Sequence, residues 1–520
     1  MKREKMISDI KTPNLQWDIA IIGGGATGVG SAIEAASRGY KVVLIEQSDF
    51  GKATSSRSTK LAHGGVRYLQ QGNISLVLEA LKERGVMRRN APHLVHDMPF
   101  IVPVYDWWEG PFYGIGLKIY DMLAGKEGFG GSKILSKEET IKLIPTVETV
   151  GLKRGVIYYD GQFDDARLLI NMMQTAVEQG ATMINYMKAV SLVKEDDELT
   201  GIIAKDEETG EEHIIKAKVI INATGVFTDF VRKMDDIFAE EIITSSQGVH
   251  IVLESSFLPG NSAIMVPHTD DGRVLFAVPW HNRTLVGTTD TFVESYPLDP
   301  VPFDSEVDFL LEHAAKYLTK DPTKKDVLSV FVGLRPLVKG STDSNDTAAI
   351  SRDHTITISR SGLISIAGGK WTTYRKMGED VIDQAMILGD LDNSSSVTST
   401  MQIHGYHSNS HSYGSLSEYG SDARKIEELF KEKKEYKELL HPNHTIKIGE
   451  IIWAVRNEMA RTIEDFLSRR TRLLILDARA SIEAAPIVAK YMSKELREGS
   501  RWRKNQVSQY SELAKTYLLD

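Results

Sequence analysis

Ile19-Ala20-Ile21-Ile22-Gly23-Gly24-Gly25-Ala26-Thr27-Gly28 reads as a buried strand that runs into a glycine turn and opens a helix. Val42-Val43-Leu44-Ile45 follows as a second apolar run, and Glu46 closes it. Continuous apolar runs of this kind are strands of a parallel sheet covered on both faces. Gly23 permits the tight turn, Gly25 lets the backbone approach a pyrophosphate, and Gly28 lets the helix pack closely on the sheet. The pyrophosphate would rest on the helix N-terminus, with Glu46 accepting hydrogen bonds from a ribose. An acid there favours FAD or NAD over NADP. A glycine triplet alone often only joins strand to helix. Strand, glycines, helix and acid in this order specify a dinucleotide site without choosing the dinucleotide.

The chain has 520 residues, 42% hydrophobic and 26% charged, enough for two or three globular domains with sizeable cores. A net charge of −9 argues against a general nucleic-acid binder. Zero cysteines exclude disulfides, iron–sulfur clusters, thiolate metal sites and a cysteinyl-linked flavin. The start, Met1-Lys2-Arg3-Glu4-Lys5-Met6, lacks a signal-peptide core, and no run approaches the roughly 18 apolar residues of a spanning helix. A cytoplasmic protein is therefore expected, with the segment before Trp17 as a flexible arm. One stretch qualifies this. Pro99 to Gly125 holds Trp107, Trp108, Phe112, Tyr113, Ile115, Tyr120 and Met122 with few charges, and reads either as a buried helix or as a contact with a bilayer interface.

Two further runs end in glycine turns, Val219-Ile220-Ile221-Asn222-Ala223-Thr224-Gly225 and Leu363-Ile364-Ser365-Ile366-Ala367-Gly368-Gly369-Lys370. Both read as strands of the same sheet returning to one ligand, so the dinucleotide domain is interrupted by insertions. Short alternating runs at Val249 to Leu253, Val274 to Val278 and Leu285 to Thr288 predict an antiparallel sheet. Asn393 to Thr400 is a serine-rich linker, and Ala423 to Leu440 and Glu450 to Leu467 have helical periodicity. The expected fold is α/β. A Rossmann-like dinucleotide-binding domain (1–95, 150–240 and 337–392) carries an inserted antiparallel-sheet substrate domain (96–149 and 241–336) and a C-terminal helical domain (401–520).

The motifs together resemble the FAD-dependent glycerol-3-phosphate dehydrogenases of the D-amino-acid-oxidase-like flavoprotein superfamily. The matching pieces are the glycine fingerprint with Glu46, Ala53-Thr54-Ser55-Ser56 through Lys60-Leu61 to His63-Gly64-Gly65-Val66-Arg67-Tyr68, and Asp164-Asp165-Ala166-Arg167-Leu168. Asn222 to Gly225, Gly287-Thr288-Thr289-Asp290, Gly333-Leu334-Arg335-Pro336-Leu337, Ser351-Arg352-Asp353 and Gly368 to Lys376 continue the match, and Asn457 to Leu467 is similar to that family's helical cap. The resemblance implies noncovalent FAD, which makes the Rossmann-like domain an FAD-binding domain. Gly23, Gly25, Gly28 and Glu46 would hold the ADP half, Thr54, Ser55, Lys60 and Leu61 would lie nearer the phosphates and ring, and Gly225, Gly369 and Thr372 would complete the site. His63 is the one nearby attachment candidate.

Oxidising a secondary alcohol means removing a hydroxyl proton while hydride passes to the flavin. A phosphorylated substrate calls for convergent cations, and arginine forks suit phosphate oxygens. The resemblance implies Arg67, Arg352 and Lys370 near the phosphate with Tyr68 beside them, and His250 with Arg335 near the reacting hydroxyl. An unperturbed histidine pKa of roughly 6.5 makes His250 the more natural base, lowered further by nearby cations. Arg335, charged up to a pKa of about 12, suits alkoxide stabilisation.

The implied reaction is oxidation of sn-glycerol 3-phosphate to dihydroxyacetone phosphate, with electrons passed to a membrane quinone from the cytoplasmic membrane face. An oxidase using O2, an amine or amino-acid oxidase, and a redox-inert flavin scaffold are the alternatives. The oligomeric state stays open, with a homodimer among the choices. No metal site is expected: His404, His407 and His411 lie in a polar loop without a carboxylate pattern. Arg469-Arg470-Thr471-Arg472 reads as a solvated helical face, or one turned to anionic lipid.

Overall fold

The computed structural model describes residues 1–65, 73–106, 109–125, 128–267, 269, 273–339 and 353–519, without the side chains of 109–113. Strand Gln16–Ile22 lies at the middle of the first sheet, pairing in parallel with Val42–Ile45 on one side and Glu212–Asn222 on the other. Thr182–Ile184 extends the sheet beyond Val42–Ile45, and Leu363–Gly368 extends it beyond Glu212–Asn222. The chain thus builds outward from Gln16–Ile22 in one direction, then returns and builds in the other. That reversal leaves a crevice at the carboxyl ends of Gln16–Ile22 and Glu212–Asn222, where α/β sheets bind ligands.

The second sheet is largely antiparallel. Ile243–Glu254 pairs with Val327–Val338 on one side and Arg283–Gly287 on the other. Arg154–Phe163, expected in the dinucleotide domain, pairs instead with Val95–Val104 and belongs to this second sheet. Leu61–Ala62 pairs with the same strand, so the serine-rich loop carries the chain from one sheet to the other. Leu275–Trp280 and Arg283–Gly287 form a hairpin whose two turn residues, His281 and Asn282, both have positive φ (47° and 56°), as a two-residue type I′ turn requires.

The C-terminal region is helical, as its periodicity predicts, in shorter pieces: Ala423–Glu432, Ile448–Asn457, Ala478–Glu495 and Ser500–Lys515 are α-helices. The helix Ile448–Asn457 ends two residues before Met459, whose φ is 54°, and a π-helical segment follows at Asp465–Arg470. Trp453, Ile451 and Phe466 pack in one cluster with Phe331, Trp280 and Val252, so this region shares a core with the second sheet.

Two expectations are corrected here. The N-terminal segment is no flexible arm: Arg3–Ile10 is a helix, Met6 and Ile10 pack in a core with Trp17, and Arg3 is buried 2.8 Å from Asp206. The arginine cluster is no solvated face either. Arg469 lies 2.5 Å from Asp49 and 2.7 Å from Glu464, Arg470 is bound to the same Asp49, and Arg472 lies 3.0 Å from Asp165, all with side chains no more than 3% exposed. A run of basic residues looks solvated in sequence because its acidic partners, Asp49 and Asp165, lie hundreds of positions away. Buried charges persist only when paired and hydrogen-bonded in this way.

Candidate active site

Gly23 sits at the end of Gln16–Ile22 with φ of 114°, and a Cβ there would lie 2.5 Å from the Ala223 carbonyl oxygen. At Gly28 any Cβ would overlap the Gly23 carbonyl, so the helix Ala26–Ser37 closes on the turn only because both are glycine. Gly25 differs: its Cβ would meet only the Ser55 hydroxyl, at 3.1 Å, because that side of the loop opens on the crevice. The Ser55 hydroxyl accepts a hydrogen bond from the Ala26 N–H (2.9 Å), fastening the serine-rich loop to the helix N-terminus.

The crevice has a volume of about 510 Å³. It is lined by Gly23 to Thr27, Ile45 to Gln47, Pro336 and Gly368 to Trp371. Glu46 accepts hydrogen bonds from the Gly24 N–H (2.7 Å) and the Ser48 N–H (2.9 Å). Burial raises its pKa and those two donors oppose the rise. A carboxylate offers about four acceptor sites, so capacity remains for a ribose.

Arg335 is carried on Val327–Val338, one residue before the lining Pro336. Its guanidinium lies 3.1 Å from Asp290 and donates to the Thr289 carbonyl (2.9 Å) and the Thr288 hydroxyl (3.2 Å). Gly287 to Asp290 thus acts as a bracket that aims the arginine. His250 shares that face of the sheet, two residues beyond Gly248, which is paired with Gly333. Its ring stacks on Phe331 at 4.8 Å, and Nε2 is 2.9 Å from the Thr59 hydroxyl. Burial, then Lys60, then Arg335, hold its pKa well below the usual imidazole value, so the ring is neutral.

Of the residues expected at the cofactor, Gly23, Gly25, Glu46, Thr54, Ser55, Gly225 and Gly369 line the crevice, and so does Lys370, expected at the substrate. Lys60 does not: its ammonium is fully buried, 2.6 Å from Asp165 and 2.9 Å from the Ser56 carbonyl, with burial holding its pKa well below the usual lysine value. Leu61 is buried in the second sheet, and neither Thr372, His63 nor His250 lines the crevice. Arg67, Tyr68 and Arg352 lie outside the described residues. Sequence reasoning missed Met187 to Ala189, Phe227, Phe230 and Lys52, which all line the crevice. Lys52 also bridges Glu464 (2.6 Å) and Asp299 (3.0 Å). The one sequence signal for Phe227 and Phe230 is the amphipathic pattern of Thr228–Asp235 directly after Gly225.

His404, His407 and His411 do not converge. His404 is held by Glu178 and Asp422, His407 faces Tyr413, and His411 faces His96. The carboxylates that the sequence hid from His404 come from a distant helix and a later turn.

A family model described as FAD dependent oxidoreductase matches residues 18–375, and one described as the C-terminal domain of alpha-glycerophosphate oxidase matches 366–506. Fold and crevice are those of an FAD-dependent oxidoreductase, and the glycine cradle at Gly23, Gly25 and Gly28 fits that cofactor. Mitochondrial glycerol-3-phosphate dehydrogenase of Schizosaccharomyces pombe is 37% identical, over 95% of this chain and 86% of that protein. The human enzyme of that name is 40% identical, over 92% and 71%. The glycerol-3-phosphate dehydrogenase from Bacillus halodurans, solved in complex with FAD, superposes with a TM-score of 0.81 at 29% identity, covering 99% of this chain and 97% of that one. The chain belongs to the FAD-dependent glycerol-3-phosphate dehydrogenase family.

Proposed function

We propose that this chain oxidises sn-glycerol 3-phosphate to dihydroxyacetone phosphate and hands the electrons to a membrane quinone. The observation that carries the reading is that Lys370 lines a dinucleotide crevice while Arg335, bracketed by Asp290, stands one residue before the lining Pro336. When bound, noncovalently, FAD supplies a two-electron acceptor for the hydride that leaves the substrate carbon. Lys370, with Arg67, Arg352 and Tyr68, holds the phosphate and so fixes which carbon faces the acceptor. Arg335 stabilises the developing alkoxide through its fixed fork. His250, neutral and on the same sheet face, takes the hydroxyl proton; an always-charged guanidinium is unsuited to that role.

A quinone acceptor dissolved in lipid requires contact with the bilayer, from the cytoplasmic face in this reading. Supporting it, helix Glu109–Ala124 buries Leu117 and Tyr120 while Ile115, Ile119 and Met122 stand exposed, spaced i, i+4 and i+7 along one stripe. Among the described residues no helix is long and apolar enough to cross a membrane. A second reading, an oxidase delivering electrons to O2 and releasing H2O2, is favoured by the oxidase C-terminal domain model that matches 366–506. Peroxide yield measured beside quinone reduction separates the two; stoichiometric peroxide without quinone reduction contradicts the first.

A further inference from the structure

Away from the crevice, two carboxylates converge on one ring nitrogen. His281 Nε2 lies 3.0 Å from Glu418 Oε1 and 3.3 Å from Asp164 Oδ2, and the three ligand atoms all fall within 4.8 Å of one another. The residues come from three separate segments. His281 belongs to the hairpin turn after Leu275–Trp280, Asp164 caps the helix Asp165–Glu178, and Glu418 sits in the 3₁₀ segment Ser410–Asp422.

A single N–H serves one acceptor well, and a second carboxylate crowded onto the same nitrogen is left with poor geometry and a like-charged neighbour. His404 shows the contrast. Glu178 takes its Nδ1 and Asp422 its Nε2, so each carboxylate has its own donor. At His281 both carboxylates compete for one point, which a cation would serve better than a proton. In a tetrahedral site with bonds of about 2.0–2.1 Å, neighbouring ligand atoms stand roughly 3.3 Å apart. His281 Nε2 has nearly that spacing to both oxygens.

We propose that Asp164, His281 and Glu418 bind one divalent transition-metal ion of the Zn²⁺ class, clamping the C-terminal segment to the second sheet and to the start of helix Asp165–Glu178. Two carboxylates and one imidazole give the ion a charge-neutral set, and water completes it. Access exists: His281 lines a polar cavity of about 1110 Å³ whose wall also holds His96 and His411, with rings 5.4 Å apart. Arg472 pairs with Asp164 Oδ2 only at 3.6 Å, beyond hydrogen-bond distance, while its other guanidinium nitrogens bond Ser468, Ser56 and Asp165, so that oxygen keeps a lone pair for the ion.

The test uses tag-free, FAD-loaded protein stripped with a chelator, then titrated with Zn²⁺ by calorimetry, with thermal unfolding followed in parallel. One tight equivalent and a raised Tm are expected. His281→Ala and the shape-conserving Glu418→Gln should each weaken that binding by at least about tenfold and abolish the rise in Tm, while His404→Ala changes neither. Zinc binding of unaltered affinity in both variants, or none at micromolar Zn²⁺ in the parent protein, overturns the proposal.

Discussion

The guanidinium of Arg335 lies across the backbone of Gly248 on the neighbouring strand, where any Cβ would overlap it. The arginine is therefore positioned from two sides, by the Asp290 bracket and by a missing side chain beneath it. Gly248→Ala should push Arg335 off its line and lower kcat/KM, and Arg335→Ala should lower turnover by about 10²–10³-fold, the loss typical of an oxyanion-stabilising donor. Steady-state kinetics with flavin absorbance checks both, since FAD content should not change in either.

Gly25 and Gly28 separate cofactor binding from folding. A Cβ at Gly25, whose backbone is extended, meets only the Ser55 hydroxyl, so Gly25→Ala should leave the apoprotein near its parent stability while FAD is lost; Gly25→Val should abolish FAD binding altogether. Gly28→Ala instead collides with the Gly23 carbonyl and should destabilise the apoprotein itself. Flavin content and apoprotein unfolding, measured side by side, distinguish the two outcomes.

Asp49 ties the C-terminal region to the turn that follows strand Val42–Ile45. Two buried guanidinium groups, Arg469 and Arg470, share its carboxylate. Asp49→Ala would leave both charges without that partner, and removing one member of such a buried set costs about 3–5 kcal/mol. Denaturant unfolding should show a loss of that size. A loss below about 1 kcal/mol would mean the cluster is not the junction described.

His404 gives the stability a pH dependence. Burial alone would lower its pKa, but Asp422 and Glu178 on its two nitrogens override this and push it up to about 9, from an ordinary 6.5. The unfolded chain sheds this proton first, so the stabilisation is complete below pH 6.5 and is lost as pH rises through about 9. The loss should be about 1–3 kcal/mol. His404→Gln should flatten unfolding free energy across that window.

The parallel strands, the glycine turns and the acid at Glu46 were legible because their signals are local: short apolar runs with punctuation fixed by backbone geometry. The return of Val219 to Gly225 and Leu363 to Lys370 to the same sheet was legible for the same reason. What escaped depends on pairing across the chain. Lys60 and Arg472 both meet Asp165, and Arg470 meets Asp49, 421 positions away. Nothing in a window around a basic residue tells a buried ion pair from a solvated one. In sequence, 150–240 reads as one block of the dinucleotide domain, and it is pairing with Val95–Val104, Lys133–Ser136 and Leu61–Ala62 that puts Arg154–Phe163 in the second sheet. The helix Arg3–Ile10 was missed because just Met6, Ile10 and the buried Arg3 anchor an otherwise polar segment.

The central claim is that the crevice, with Lys370 in its lining and Arg335 beside it, forms one redox site for a phosphorylated alcohol. The most direct measurement is an anaerobic titration of the FAD-loaded protein with sn-glycerol 3-phosphate, followed by flavin absorbance. The account predicts stoichiometric bleaching with the parent protein, and bleaching that is slowed or needs much more substrate with Lys370→Ala at equal flavin content. Unchanged absorbance at saturating sn-glycerol 3-phosphate would contradict it.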